Sequence, residues 1–175
     1  MRQSMMLLGF VLLMGWNPWV KEVRTGVNSS DQQPLVVFLV RHAEKSSATS
    51  DPELTDLGKR RATRLADMLQ DVAIDQVHSS DFQRTRQTAA PLAKQKGLEV
   101  RLYNPRELEI LATSLCDLGG KHVVVGHSNT TPQLVKLLGG EAGKPIDDES
   151  EYDRLYVLTK AADGTVHSLI LRYEP

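Results

Sequence analysis

Three apolar, β-like runs in this chain each break off at residues able to handle an anion. Leu35–Val40 (LVVFLV) runs straight into Arg41-His42-Ala43-Glu44, Val77–Ser80 into Asp81-Phe82-Gln83-Arg84-Thr85, and Val123–Gly126 into His127-Ser128-Asn129-Thr130. Helical spacings of apolar residues fill the stretches between them. Strands alternating with helices imply a mostly parallel sheet covered on both faces. In such an open sheet, residues just past the carboxyl ends of the strands converge on one crevice, where ligands bind. Two histidines and two arginines from distant parts of the chain are therefore expected at one place.

The pattern predicts a single three-layer α/β/α domain over residues 34–175, with a mostly parallel central sheet. After the first strand, the polar stretch Ser46–Pro52 reads as a loop. Thr55 is placed to cap a helix running to about Gln70, with Ala62, Leu65, Ala66 and Leu69 on one face. A strand near Gln76–Ser79 follows, and Asp81 is placed to cap the next helix, whose inner stripe is Phe82, Thr85, Ala89, Leu92 and Ala93. Glu99–Leu102 reads as a short strand, and Asn104-Pro105 as an N-cap followed by proline in the first helical position. Leu108, Leu111, Ala112 and Leu115 then keep the spacing of a core-facing helix. His122–Val125 is the next strand, Thr131-Pro132 opens a short helix that Gly139-Gly140 ends, and Glu141–Glu151 reads as a surface loop. Tyr152–Thr159 and Val166–Tyr173 complete the set as strands joined by a turn at Asp163-Gly164.

A length of 175 residues suits one domain with a proper core, and 41% hydrophobic with 25% charged residues excludes a disordered chain. The net charge of -1 offers no general attraction to nucleic acid, so anion binding must come from a local cluster. Cys116 is the sole cysteine, which rules out an internal disulfide; within Leu108–Leu118 it reads as a buried structural thiol. No Cys/His spacing resembles a zinc site. Lys59-Arg60-Arg61 and Arg64 read as an exposed basic helix face, and His78, His122 and His167 as structural or exposed.

The amino terminus differs in kind. Arg2 precedes the unbroken apolar run Met5–Gly15, with Trp16, Pro18 and Trp19 after it. A positive n-region and an h-region of this length read as a signal peptide over residues 1–20. The run is short of the roughly 20 residues a spanning helix needs, but the tryptophan pair suits a membrane interface. Cleaved leader and N-terminal membrane anchor both remain open. Polar residues 21–33 read as a linker, and the domain is expected to be exported, either periplasmic or membrane-anchored.

The converging residues support phosphoryl chemistry. A neutral His42 imidazole can attack phosphorus and divide a hard hydrolysis into two displacements. Two guanidinium groups nearby disfavour its charged form and keep it ready near neutrality. Arg41 and Arg84 can grip phosphoryl oxygens and offset charge through the transition state. Arg84 falls in the first turn of its helix, where backbone donors add to anion binding, and His127 can donate a further hydrogen bond.

Taken together the motifs resemble the histidine phosphatase superfamily, the phosphoglycerate-mutase-like phosphatases. Arg41-His42-Ala43-Glu44 resembles the family's Arg-His-Gly-Glu signature, with alanine in the glycine position. Leu54-Thr55-Asp56-Leu57-Gly58 is similar to the segment that follows it, and the stretch from Ser79 to Ala89 to the second signature. Val125-Gly126-His127-Ser128 resembles the third. The likeness spans about residues 35–173 in the family's order. It implies His42 as nucleophile, a phosphate pocket of Arg41, Arg84 and His127, and neither metal nor organic cofactor.

Some members place an aspartate directly after the second histidine as general acid; Ser128 stands there in this chain. Others use a glutamate between the second and third motifs, and Glu107 is the candidate chosen here, ahead of Glu109. Glu107 also falls three residues after Asn104, where a capping-box glutamate ties down a helix start, so catalysis and capping stand as equal readings. Glu44, Lys45 and Asn129 are expected at the substrate rim.

The reading is a phosphomonoester hydrolase acting through a phosphohistidine on a phosphorylated small molecule or a phosphorylated envelope component. A mutase is a weaker reading, because only the Ser46–Glu53 and Glu141–Glu151 loops are available to cover the site. A phosphate-binding module with little turnover and a protein phosphohistidine phosphatase are the competing alternatives.

Overall fold

The strand Leu35–Arg41 (β1) is apolar along almost its whole length, as a strand covered on both faces must be, and it lies inside a six-stranded sheet. The computed structural model describes residues 33–47 and 49–175. The leader expected over residues 1–20, and all but the last residue of the linker, lie outside the described residues. After β1 the chain forms α1 (Asp56–Met68), β2 (Gln76–Ser80), α2 (Gln83–Lys96), β3 (Val100–Tyr103) and α3 (Leu108–Leu118). β4 (Gly120–Gly126), α4 (Thr130–Leu137), β5 (Arg154–Lys160) and β6 (Val166–Arg172) follow.

The sheet order is β3-β2-β4-β1-β5-β6. β1 pairs in parallel with β4, β4 with β2, and β2 with β3, while β5 and β6 add antiparallel at the far edge. The difference follows from the connections. Parallel neighbours need a crossover, which the helices supply, whereas a tight turn through Gly164 (φ +86°) suffices between β5 and β6.

Side-chain alternation along β1 sends Val37 and Leu39 to one face and Val40 to the other. The first face packs against Leu111 and Leu115 of α3 and Leu134 of α4. The second packs against Leu65 and Ala66 of α1 and Ala89 and Leu92 of α2. The result is the three-layer α/β/α domain expected from the sequence.

Several local expectations change. Thr55 does cap α1, its hydroxyl oxygen accepting from the Gly58 N–H at 3.1 Å. Asp81 does not cap α2; it pairs with Arg86, and the carboxylate of Asp51 takes the Gln83 N–H instead, at 3.0 Å. α3 begins at Leu108, later than Pro105, because the Asn104 side chain closes a local turn onto the Arg106 N–H.

Arg61 is not part of an exposed basic face. It is buried, donates to both oxygens of Glu44, and donates to the Tyr173 carbonyl at 2.6 Å. His78 and His122 form a buried pair between neighbouring strands. His122 Nε2–H donates to the Gly119 carbonyl at 2.6 Å, so its Nδ1 accepts from His78 Nε2–H at 3.2 Å. Burial pushes His78 down to about 4. Cys116 is half-buried rather than enclosed, with Lys160 Nζ donating to its sulfur at 3.4 Å.

Candidate active site

Register brings the three motif strands to a common end. Arg41 lies opposite Gly126 across β1 and β4, and Ser79 lies opposite Val125 across β2 and β4. The His42 N–H donates to the Gly126 carbonyl at 2.9 Å, which sets the first histidine level with the residue before the second. The two imidazoles meet edge to face with centroids 5.5 Å apart. Gly126 must be glycine for this approach, since a Cβ there would fall 2.9 Å from Thr131 Oγ1 and 3.0 Å from the Tyr103 hydroxyl.

His42 is 2% exposed, and its Nδ1 lies 2.8 Å from the Ala43 carbonyl. A carbonyl only accepts, so Nδ1 carries the proton and the lone pair of the neutral ring sits on Nε2. Burial, with contributions from Arg41, His127 and Arg84, lowers its pKa to about 3 despite the opposing bond to Ala43. The ring is therefore neutral at physiological pH, the state a nucleophile needs.

His127 Nε2 is 2.9 Å from Ser80 Oγ, and Ser80 is in turn tied to Thr85. Burial first, then Arg84 and Arg41, lower its pKa to about 4, while Asp148 opposes them. Phe82 meets the His127 ring edge-on at 5.0 Å and underlies the Arg84 guanidinium at 4.5 Å. Asp51 Oδ1 holds Arg84 from outside at 3.5 Å.

Arg41 is 1% exposed, and its terminal nitrogens turn away from a free fork. Nη1 donates to the carbonyls of Asp147 and Glu151, and Nη2 to the carbonyl and carboxylate of Asp148. The Tyr152 ring stacks on the guanidinium at 4.1 Å. Among the described residues, the Nε groups of Arg41 and Arg84 are buried donors without a partner. These two guanidinium N–H groups, whose charges act on both neutral imidazoles, are donors of the kind that favour an anion.

Of the residues singled out from sequence, His42, Arg84, His127 and Asn129 line one cavity of about 410 Å³, together with Lys45. Arg41 stands behind that cavity as the anchor of the 147–151 loop. Glu44 is not at the rim, because Arg61 holds its carboxylate. Glu107 lines a separate cavity of about 270 Å³ with His78, Arg101 and Tyr103, and no side-chain cap comes from it. Glu107 does not line the cavity that holds His42.

Sequence reasoning missed Asp148, which lines the main cavity and accepts from Ser128 Oγ at 2.6 Å. It lay in an acidic stretch that resembles any solvated loop, and its only legible signal was position, just before the strand beside β1. The Gly of the second motif segment now has a cause. A Cβ on Gly58 would come 2.3 Å from the Glu44 carbonyl, so the first turn of α1 can seat the loop after His42 only without a side chain.

The motif order, the sheet order and the paired histidines at the strand ends are features that comparison with known proteins places in one family. The histidine phosphatase superfamily (branch 1) family model matches residues 37–107. A probable phosphoglycerate mutase GpmB from Photorhabdus laumondii is 31% identical over 135 residues, covering 73% of this chain and 61% of the relative. Phosphoserine phosphatase 1 from Hydrogenobacter thermophilus is 38% identical over 81 residues, covering 42% of this chain and 38% of the relative. The chain thus spans less than two thirds of the length of these curated relatives. In fold it is similar to the protein histidine phosphatase SixA complexed with tungstate (TM-score 0.66, 19% identity, covering 79% of this chain and 97% of that one). It is also similar to a mycobacterial glucosyl-3-phosphoglycerate phosphatase (TM-score 0.60, 15% identity, covering 81% and 99%). The chain is thus similar in sequence and in fold to members of the histidine phosphatase superfamily.

Proposed function

We propose that this chain hydrolyses phosphomonoesters through a phosphohistidine on His42. One observation carries the proposal: a buried, neutral imidazole with its Nδ1 proton committed to Ala43 stands beside two buried guanidinium Nε–H donors that lack a partner. A phosphoryl group is a trigonal anion whose oxygens accept from several such donors at once. Attack by Nε2 on phosphorus expels the alcohol, and water then displaces the histidine. Arg84 and the Arg41 Nε–H hold the phosphoryl oxygens, and the His127 ring, fixed by its Nε2–H on Ser80, packs beside them.

Hydrolysis is preferred to mutase chemistry because exposed Lys45 and Arg106 border the cavity, leaving the phosphoenzyme open to water. If the leader read over residues 1–20 exports the chain, a phosphorylated envelope component is the substrate class; otherwise it is a phosphorylated small molecule or phosphohistidine protein. Fractionation of the expressing cell and the protease accessibility of the domain separate these cases.

The test is hydrolysis of an aryl phosphate by the full chain beside His42→Ala. The expected loss on substitution is at least about 10³-fold in kcat/KM, together with loss of an acid-labile phosphate label on the protein. A well-folded parent that binds inorganic phosphate yet turns over no phosphate ester would overturn the reading in favour of a binding module.

A further inference from the structure

An alkoxide is a poor leaving group in water, so displacement of an alkyl phosphate needs a proton delivered to the departing oxygen. Among the described residues lining the cavity with His42 and His127, one carboxyl group is present, that of Asp148. Its Oδ1 accepts from Ser128 at 2.6 Å and from Arg41 Nη2 at 2.8 Å, which fixes the carboxyl group at the cavity wall. The side chain remains 69% exposed, so it is open to a ligand rather than sealed behind its partners. Its charge acts on both catalytic imidazoles. Of the other groups on that wall, His127 has Nε2 engaged with Ser80, and Arg84 is a permanent cation.

We infer that Asp148 is the proton donor to the leaving alcohol and the base that then activates water, a role that rests on the phosphohistidine reading of His42. The steps balance as follows. A phosphomonoester monoanion arrives with its acidic proton, which passes to the Asp148 carboxylate as the phosphoryl charge settles against the arginines. His42 Nε2 forms the bond to phosphorus, the bond from phosphorus to the ester oxygen breaks, and the Asp148 proton moves to that oxygen, releasing a neutral alcohol. Water then attacks phosphorus and gives a proton to the Asp148 carboxylate. The electron pair of the phosphorus–nitrogen bond returns to Nε2, and dihydrogen phosphate forms as that proton rejoins the product.

In the free protein, the bond from Ser128 and the Arg41 charge hold the Asp148 carboxyl below its ordinary range. A phosphoryl group alongside reverses that balance, since a second negative charge favours the protonated acid. The donor is thus loaded only when substrate is bound. The loop that supplies it is the one Arg41 anchors, which gives the buried arginine a second task beyond its Nε–H.

Asp148→Asn tests the assignment, because the amide oxygen can still accept from Arg41 and Ser128 while the group can no longer deliver a proton. The measurement is first-turnover release of the alcohol from a nitrophenyl phosphate and from an alkyl phosphate, with parent, Asp148→Asn and His42→Ala as full chains. The expected result is a loss of about 10²-fold or more on the alkyl ester against less than about 10-fold on the nitrophenyl ester, whose leaving group needs no proton. Equal losses on both esters would overturn the inference and leave Asp148 as an anchor of the loop. No loss on either would overturn it outright. Failure of the phosphohistidine reading would look different, with His42→Ala retaining the parent's rate on the nitrophenyl ester.

Discussion

Each residue of the site is set by one or two bonds whose geometry leaves little choice. The Ala43 carbonyl selects the His42 tautomer, and burial selects its neutral state. Because the folded pKa is lowered to about 3, protonation of His42, the proposed nucleophile, is not expected to limit activity until well below pH 6. The acid limb of kcat/KM, after correction for substrate ionisation, is expected near or below pH 4; an inflection at 6.5 would mean a solvated imidazole. Gly58 sits under an equally tight constraint. Gly58→Ala drives a methyl group into the Glu44 backbone at 2.3 Å, and neither helix nor loop can yield without moving the histidine loop. The expected cost is about 1–3 kcal/mol, read from denaturant midpoints, with activity falling further than the stability change alone requires.

Elements depend on one another at this site more than on their own caps. α2 carries Arg84, yet its first free N–H is taken by Asp51 from a separate loop. Asp51→Ala is expected to cost about 1 kcal/mol in stability and to raise KM, because the same carboxylate steadies the Arg84 guanidinium. The 147–151 loop hangs on Arg41 through three backbone carbonyls. Arg41→Lys removes the planar fork that reaches them. Hydrogen exchange over residues 146–152 should quicken in that variant while the sheet stays protected. Unchanged exchange there would show that the loop is held by other means.

At the scale of the whole molecule, burial of three neutral histidines ties stability to pH. His42 is lowered to about 3, and His78 and His127 to about 4, against 6.5 in the unfolded chain. Between these limits the unfolded state binds more protons than the native one, so stability falls as pH drops from 6.5 toward 4 and is fully present above 6.5. Each histidine contributes up to about 3 kcal/mol to that fall. Urea midpoints across pH 4–8 read the slope. His78→Gln, whose amide can still donate to His122, should make it shallower without touching the site.

The order of strands and helices, the positions of His42 and His127 just past strand ends and of Arg84 in the first turn of α2, and the likeness to the family were legible in the sequence. Alternating apolar periods and short motifs are local, and a parallel sheet converts chain order into a shared crevice without further information. The side-chain partners were not legible. Arg41 and Arg61 look alike as basic residues, but only the packed molecule shows that one anchors a loop and the other neutralises Glu44. Glu107 follows a strand end as the sequence expectation required, yet in the packed molecule it lines another cavity. Asp148 carries no signal beyond its position before the strand beside β1. It reaches the site because the loop before β5 folds back over β1, a contact across 107 residues of chain that no local pattern can encode.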